Sequence, residues 1–215
     1  MIKNEIIEKN DYNSIFYYHE HFLNNKEIIY YLNYLNDMDD FYPCNNYKNI
    51  ICRYQKWYQI KNKYFCNNWN KRYDRWISFN YDNIILQIQN KIQKLLYDLN
   101  LITNLNSCLI NKYTDGNNYI SNHRDSILSF GEYPTICILS IGEPRMIKFN
   151  RIIHNNENKK SIKIDKNTNN HFDFFLKSGS IFIMSGSSQK YYVHEIPKSD
   201  STNIRYSFTF RNYIL

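Results

Sequence analysis

The stretch that decides the fold is IRYSFTFR, residues 204–211, near the end of the 215-residue chain. Successive side chains of a β-strand point to opposite faces, so the polar and apolar residues of this stretch separate onto two sides. One face carries Arg205, Ser207, Thr209 and Arg211, and the other carries Ile204, Tyr206, Phe208 and Phe210. We therefore expect a strand with one face on an apolar core. Its polar face either meets solvent or receives a small dianion between two guanidinium groups.

The second half of the chain repeats this period of two. Short runs rich in β-branched and aromatic residues follow one another, and turn residues such as Asp115-Gly116 and Ser178-Gly179 separate them. The runs occupy residues 107–114, 135–142, 145–149, 161–164, 171–176, 180–184 and 204–211. A succession of short strands favours a sandwich, a jelly roll or a barrel.

The first hundred residues predict mostly helix. Residues 84–99 place apolar side chains at intervals of three and four, and residues 26–38 do so more weakly. We expect a single α+β domain over residues 1–215, because a chain of this length builds one core comfortably. Its parts would be a helical extension over residues 1–46, a support helix over 84–99 and a strand-rich core over 105–213.

Composition and chain ends exclude several classes of protein. Hydrophobic residues make up 43% of the chain and charged residues 22%, which is typical of a folded domain. The N-terminal stretch MIKNEIIEKN has no signal-peptide pattern, and no apolar run approaches the ~18–20 residues of a membrane span. None of the five cysteines is in a C-x-x-C pair. We expect a soluble, intracellular protein with reduced cysteines, in the cytoplasm or the nucleus.

A candidate metal site consists of His123, Asp125 and His194. The H-x-D spacing places an imidazole and a carboxylate on the same side of an extended segment. Two histidines and one carboxylate on one face of a metal are the ligand set of non-haem Fe(II) oxygenases. Residues 171–173, HFD, repeat the H-x-D pattern, and spacing alone does not separate the two copies.

The positive charge of the chain is concentrated in one segment. Residues 48–75 contain eight of the 27 basic residues and one of the 20 acidic residues, which leaves nineteen of each elsewhere. This segment therefore accounts for the formal net charge of +7. Aromatic residues are interleaved with the cations, and such a segment can track phosphates and stack on bases at about 1–3 kcal/mol each. The alternative is a solvated basic loop whose aromatic residues cover the core.

Six short motifs occur in a fixed order between about residue 47 and residue 213. They are LINKYTDG at 109–116, HRD at 123–125, SIG at 140–142, SGSIFIM at 178–184, HEIP at 194–197 and RYSFTFR at 205–211. In order and spacing the chain resembles the AlkB family of Fe(II)/2-oxoglutarate dioxygenases. The resemblance implies a double-stranded β-helix, or jelly roll, as the core, and a nucleotide-recognition lid over residues 47–80.

The resemblance also implies roles for individual residues. The iron ligands would be His123, Asp125 and His194. The residues that bind 2-oxoglutarate would be Arg205, Arg211, Asn111, Tyr113 and Ser207, where Ser207 replaces the usual asparagine of the family. The substrate-binding residues would be Arg53, Trp57, Tyr58, Lys61, Lys63, Tyr64 and Phe65, with Tyr64 and Phe65 stacking on the base.

The activity implied by this resemblance is oxidative demethylation of N-alkylated bases, such as 1-methyladenine and 3-methylcytosine, in DNA or RNA. The reaction consumes 2-oxoglutarate and O2 at Fe(II) and releases formaldehyde, succinate and CO2, as in direct-reversal alkylation repair. We expect a monomer. Two alternatives stay open: the same chemistry on a protein or lipid, and a non-catalytic nucleic-acid-binding module. Ser126 and Ile127 follow the H-x-D, where members that act on nucleic acid often carry acidic residues.

Overall fold

A computed structural model describes residues 4–9, 13–45, 50–60, 78–101, 103–153 and 163–214. The strands are β1 (Asn4–Lys9), β2 (Ser14–His19), β3 (Tyr42–Asn45), β4 (Ile50–Gln59), β5 (Phe79–Asn80), β6 (Ser107–Tyr113), β7 (Ile120–His123), β8 (Ile136–Gly142), β9 (Arg145–Ile153), β10 (Lys163–Ile164), β11 (Phe172–Leu176), β12 (Ile181–Gly186), β13 (Tyr192–Ile196) and β14 (Arg205–Arg211). The α-helices are α1 (Asn25–Asn36), α2 (Asn83–Asp98), α3 (Ile127–Phe130) and α4 (Ser188–Tyr191).

Within these ranges the strands form two sheets. The large sheet has the order β1-β2-β12-β8-β14-β6-β4-β3, with β5 also paired to β4, and the small sheet has the order β10-β9-β13-β7, with β11 also paired to β9. Strands distant in sequence are neighbours in the middle of both sheets, as where β14 lies between β8 and β6. The β4–β5 pair is parallel, and the other described pairs are antiparallel. This is a mostly β core of curled antiparallel sheets, consistent with a jelly roll.

Among the described residues, two large apolar cores lie on the two sides of the large sheet. The first core packs α1 and α2 against residues such as Ile110, Phe208 and Phe210 of the sheet. The second core fills the space between the sheets, where the ring centroids of Phe16 and Phe149 are 5.0 Å apart. Each such buried ring stabilises the fold by about 1.5–3 kcal/mol. The molecule therefore has three layers: helices, large sheet and small sheet.

Helix α2 covers the outer face of the large sheet because its sequence is amphipathic. Asp82 caps its N-terminus by accepting hydrogen bonds from the backbone N–H groups of Ile84 and Ile85. The buried side chains of α2 recur at intervals of three and four, and they join the first core. No helix of the described residues is both long enough and apolar enough to span a bilayer.

Strand β14 occupies the middle of the large sheet. Its apolar residues Tyr206, Phe208 and Phe210 face the first core, as their alternation predicts. Its polar residues border the space between the two sheets instead of solvent, and all seven residues of the strand are buried. The solvent-facing alternative for the polar side of this strand is therefore wrong.

The expected helical extension over residues 1–46 is wrong for the described residues outside α1. Strands β1 and β2 extend the large sheet, and β2 pairs with β12 from Ser14 opposite Gly186 to His19 opposite Ile181. Phe16 contributes to the second core. The run SIFYYH is apolar at consecutive positions because both faces of this strand are covered, so it has no period-two signature.

The segment expected to form a lid, residues 47–80, contains a strand of the large sheet. Strand β4 pairs with β6 from Tyr54 opposite Lys112 to Gln59 opposite Ser107, and β3 lies on its other side. Four residues expected to bind substrate lie outside the described residues: Lys61, Lys63, Tyr64 and Phe65.

Candidate active site

Three potential metal ligands meet at the small sheet. His123, at the end of β7, lies directly opposite His194 of β13, and their ring centroids are 4.2 Å apart. Asp125 follows β7, and its Oδ1 atom is 3.8 Å from His123 Nε2. The ligand atoms of the three residues lie within 4.8 Å of one another. This is the two-histidine, one-carboxylate set that suits Fe(II) and leaves coordination positions open.

Hydrogen bonds orient two of these three residues. His123 Nδ1 is 2.9 Å from the carbonyl oxygen of Ser121, which assigns the proton to Nδ1 and leaves Nε2 for a metal. The backbone N–H of Asp125 donates to Gln189 Oε1 at 2.9 Å. Arg211 Nε donates to Asp125 Oδ2 at 2.6 Å. Sequence reasoning missed Gln189, because nothing in the chain marks a residue of the short helix α4 as a partner of Asp125.

The electrostatics of the three residues favour a divalent cation. Burial lowers the pKa of His194 to about 3, and burial also lowers the pKa of His123. Burial alone would raise the pKa of Asp125, but the charge of Arg211 and the two imidazoles hold that pKa below its usual value. Neutral imidazoles and an ionised carboxylate are the forms that bind metal ions.

The large sheet forms the opposite wall of the site. Arg205 and Ser207 of β14 lie opposite Tyr113 and Asn111 of β6 in the strand register. The Arg205 guanidinium lies 4.9 Å from the centre of the Tyr113 ring, and its Nη2 donates to Ser140 Oγ at 3.0 Å. Burial lowers the pKa of Arg205, yet a guanidinium stays charged at physiological pH.

Several buried donors on this wall have no hydrogen-bond partner among the described residues. They are Nε and Nη1 of Arg205 and Nη1 of Arg211. Burying a cation with unsatisfied donors raises the free energy of the folded state, so a bound anion would stabilise this arrangement. A dicarboxylate supplies acceptor oxygens for these donors and a counter-charge for Arg205, whereas Arg211 already pairs with Asp125. The donor set therefore fits 2-oxoglutarate.

A cavity of about 190 Å³ joins the two walls. The triad borders it on one side and the arginines on the other, and apolar side chains such as Ile136, Ile138 and Met184 fill out its lining. Apolar surroundings exclude water and strengthen the electrostatic interactions made inside the cavity.

The structure brings together most of the residues that the sequence predicts for the site. Those that border the cavity are His123, Asp125, His194, Arg205, Arg211, Asn111, Tyr113, Ser207, Arg53 and Trp57. Trp57 packs there with Phe130 and Tyr213.

The prediction that Tyr58 binds substrate is wrong. Tyr58 lies in the first core, does not border the cavity, and directs its hydroxyl towards Met38 Sδ at 4.0 Å. Adjacent residues of a strand face opposite ways, so Trp57 and Tyr58 cannot both line the cavity.

The second H-x-D copy lies elsewhere. His171 Nε2 is 2.9 Å from the carbonyl oxygen of Asp165, and Asp173 is exposed on β11. Neither belongs to a metal-ligand cluster found in the described part of the chain. The structure thus separates the two copies, which spacing alone did not.

The chain belongs to the 2OG-Fe(II) oxygenase superfamily, whose sequence model matches residues 16–211. Enzymes of this superfamily use Fe(II), 2-oxoglutarate and O2, and the triad described above is a candidate site for the iron. The protein is accordingly an Fe(II)/2-oxoglutarate oxygenase in class. No curated protein matches the chain in sequence.

Solved structures share its fold. The structure of OsALKBH1 has a TM-score of 0.62 at 10% identity, covering 92% of this chain and 97% of that chain. A Pseudomonas putida prolyl-4-hydroxylase has a TM-score of 0.57 at 12% identity, covering 92% and 91%. A 2OG-Fe(II) oxygenase family oxidoreductase from Burkholderia pseudomallei has a TM-score of 0.56 at 12% identity, covering 93% and 85%.

Proposed function

We propose that the protein oxidatively demethylates N-alkylated bases, such as 1-methyladenine and 3-methylcytosine, in DNA or RNA. One N-methyl group, one 2-oxoglutarate and one O2 give the unmethylated N–H, formaldehyde, succinate and CO2. The reaction would reverse alkylation damage directly.

One observation favours a nucleic-acid substrate over a protein or a lipid. The wall of the cavity includes Arg53 and Trp57 of β4, and this strand belongs to the basic, aromatic segment of the sequence. A cation and an aromatic ring therefore line the same cavity as the triad, on a strand within that basic segment. Enzymes that modify a base hold it out of the stack against such groups.

The residues of the chain divide the work between binding and positioning. We assign His123, Asp125 and His194 as iron ligands, and Arg205 and Arg211 as partners of the 2-oxoglutarate carboxylates. When bound, iron with this co-substrate supplies the oxidising chemistry, and the protein contributes geometry and exclusion of water. The apolar lining of the cavity suits a methyl group, which makes no hydrogen bond.

A panel of methylated oligonucleotides tests the proposal. Single- and double-stranded DNA and RNA carrying 1-methyladenine or 3-methylcytosine are incubated with Fe(II), 2-oxoglutarate and O2. We expect a mass loss of one CH2 unit on at least one oligonucleotide, with formaldehyde and succinate in equal amounts. The His123→Ala variant should release neither. Binding of an oligonucleotide without turnover under these conditions would favour the non-catalytic binding module.

A second candidate is the same oxidation on a protein substrate. Ile127 and Leu128 follow Asp125 and are 55% and 67% exposed, and such an apolar surface beside the cavity suits a polypeptide segment. The prolyl-4-hydroxylase of similar fold illustrates this class.

Charge reversal separates the two candidates. The double variant Lys61→Glu, Lys63→Glu should bind oligonucleotides more weakly. Its affinity should also depend less on salt, because each phosphate contact steepens the fall of log affinity with log salt concentration. The matched control reverses two exposed lysines that do not line the cavity, Lys94 and Lys166. Equal effects of the two double variants on oligonucleotide turnover would argue against a nucleic-acid substrate.

A further inference from the structure

We infer that Arg53 and Gln55 of β4 are positioning residues that fix the carboxamide of Asn111, so that its N–H donors serve the 2-oxoglutarate site. This inference rests on the proposed role of Asn111 as a co-substrate contact. It gives Arg53 a function inside the protein, in addition to the substrate contact expected from the sequence.

Both residues donate to the same atom. Arg53 Nε donates to Asn111 Oδ1 at 3.0 Å, and Gln55 Nε2 donates to Asn111 Oδ1 at 2.7 Å. Gln55 lies directly opposite Asn111 in the β4–β6 register, and Arg53 lies on the same face of β4, two residues earlier. The carboxamide oxygen is therefore held by two donors from one strand.

The chemistry of arginine decides which end of the amide faces which way. A guanidinium group has donors and no acceptor, so the amide atom that it meets must be the oxygen. The Nδ2 group then points away from the clamp that Arg53 and Gln55 form, and no hydrogen bond joins it to another described residue. Asn111 is 3% exposed and borders the cavity, opposite Ser207 of β14. Its two N–H donors are thus available to a carboxylate in the cavity.

Without the clamp the carboxamide could rotate by half a turn. The rotated amide would present its oxygen to the carboxylate, which replaces an attraction with a repulsion. Fixing the donor before the ligand arrives lowers the cost of binding. Arg53 Nη1 also donates to the carbonyl oxygen of Tyr119 at 3.3 Å, so the clamp is anchored to the connection between β6 and β7.

The direct test is 2-oxoglutarate affinity, measured by calorimetry on the full chain with Mn(II) in place of Fe(II) and without nucleic acid. Arg53→Met should raise the Kd for 2-oxoglutarate about tenfold and leave the Mn(II) affinity unchanged. Arg53→Lys keeps a donor and should recover most of the affinity. Gln55→Leu removes the second donor independently and should also raise the Kd.

The charge-matched control is Lys198→Met. Lys198 is exposed and lies 5.4 Å from the centre of the Tyr119 ring, so this variant removes one positive charge beside the same connection. It should not change the Kd. If it weakens binding as much as Arg53→Met does, the effect is general electrostatics, and the inference is overturned.

A double-mutant cycle gives the sharpest result. In an Asn111→Ala background, Arg53→Met should cause no further loss of 2-oxoglutarate affinity. An equal loss in both backgrounds, or a Kd within twofold of the unmutated value for both Arg53→Met and Gln55→Leu, would overturn the inference. So would an Asn111→Ala variant of unchanged affinity. Since no oligonucleotide is present, failure of the proposed demethylation would leave all these results intact.

Discussion

The two sheets that enclose the cavity contribute different chemistry by different means. The small sheet provides the potential metal ligands: His123 lies at the end of the short edge strand β7, His194 lies on β13, and Asp125 follows β7. The large sheet provides the cationic wall, which consists of Arg205 and Arg211. Both arginines come from β14, which has a partner strand along both edges. The backbone register positions the arginines, whereas Asp125 depends on side-chain contacts that reach it from other elements.

The two halves of the site differ in how firmly the backbone holds them. A central strand with two neighbours resists distortion, because each of its residues is held by the ladders on both sides. The metal site lies at a sheet edge, and the β7–β13 pairing shifts register between His194 and Ile196. We therefore expect substitutions to separate metal affinity from co-substrate affinity, and the following predictions test that separation.

The largest effect is expected for Asp125→Ala. This change removes a proposed ligand and leaves Arg211 without its carboxylate. Metal affinity should fall by more than the ~100-fold that loss of an outer-shell partner typically costs. Titration with Mn(II) or Co(II) measures it. The other H-x-D copy supplies the matched control, because Asp173→Ala should leave the metal affinity unchanged. Similar affinities for the two variants would contradict the assignment of the triad.

Arg205→Met should weaken 2-oxoglutarate binding without affecting the metal site. The lost guanidinium offers two unsatisfied donors to a carboxylate, and such charge-assisted bonds are each worth about 1.5–3 kcal/mol. We expect the Kd for 2-oxoglutarate to rise about 100-fold while Mn(II) affinity stays constant, both measured by calorimetry. A Kd within threefold of the original value would exclude Arg205 as a carboxylate partner.

Arg211→Met should affect both halves, because this side chain belongs to the large sheet and holds Asp125 beside the small one. Loss of an outer-shell hydrogen bond costs about 10–100-fold in metal affinity. We expect a loss near the lower end of that range, together with weaker 2-oxoglutarate binding. Titrations of metal and co-substrate on the same sample measure the two losses. A variant that loses only one of the two affinities would show that the halves are independent.

The smallest effect is expected for Gln189→Leu. The leucine cannot accept the hydrogen bond from the Asp125 backbone N–H, so the segment after β7 loses one anchor. Metal affinity should fall severalfold, with little change in 2-oxoglutarate affinity, because α4 carries none of the cationic wall. Lys190→Ala is the control in the same short helix. Metal titrations that do not distinguish the two variants would remove the positioning role of Gln189.

The sequence predicts well what depends on local period and motif order. Strand β14 has a perfect alternation of polar and apolar residues, and its two faces are those of the structure. The triad depends on the H-x-D spacing and on a third ligand 69 residues further along the chain, and the motif order identifies which H-x-D is concerned. These patterns can be detected in the sequence because they are repeated along a strand or fixed within a few residues.

Other features depend on contacts that no local pattern records. Strand β2 is covered on both faces and therefore has no alternation to detect. The hydrogen bonds from Arg53 to Asn111 and from Asp125 to Gln189 join residues 58 and 64 positions apart. Trp57 and Tyr58 face opposite sides because the residues around them form a strand of the large sheet, which only the β4–β6 pairing reveals.

The unpaired guanidinium donors of β14 also have a consequence for the lifetime of the protein. Nε and Nη1 of Arg205 and Nη1 of Arg211 are buried donors that a bound dicarboxylate would satisfy. A ligand that binds only the native state stabilises it by RT ln(1 + [L]/Kd), about 2.7 kcal/mol at a hundredfold excess over Kd. Binding of 2-oxoglutarate would then raise the resistance of the protein to unfolding and to proteolysis.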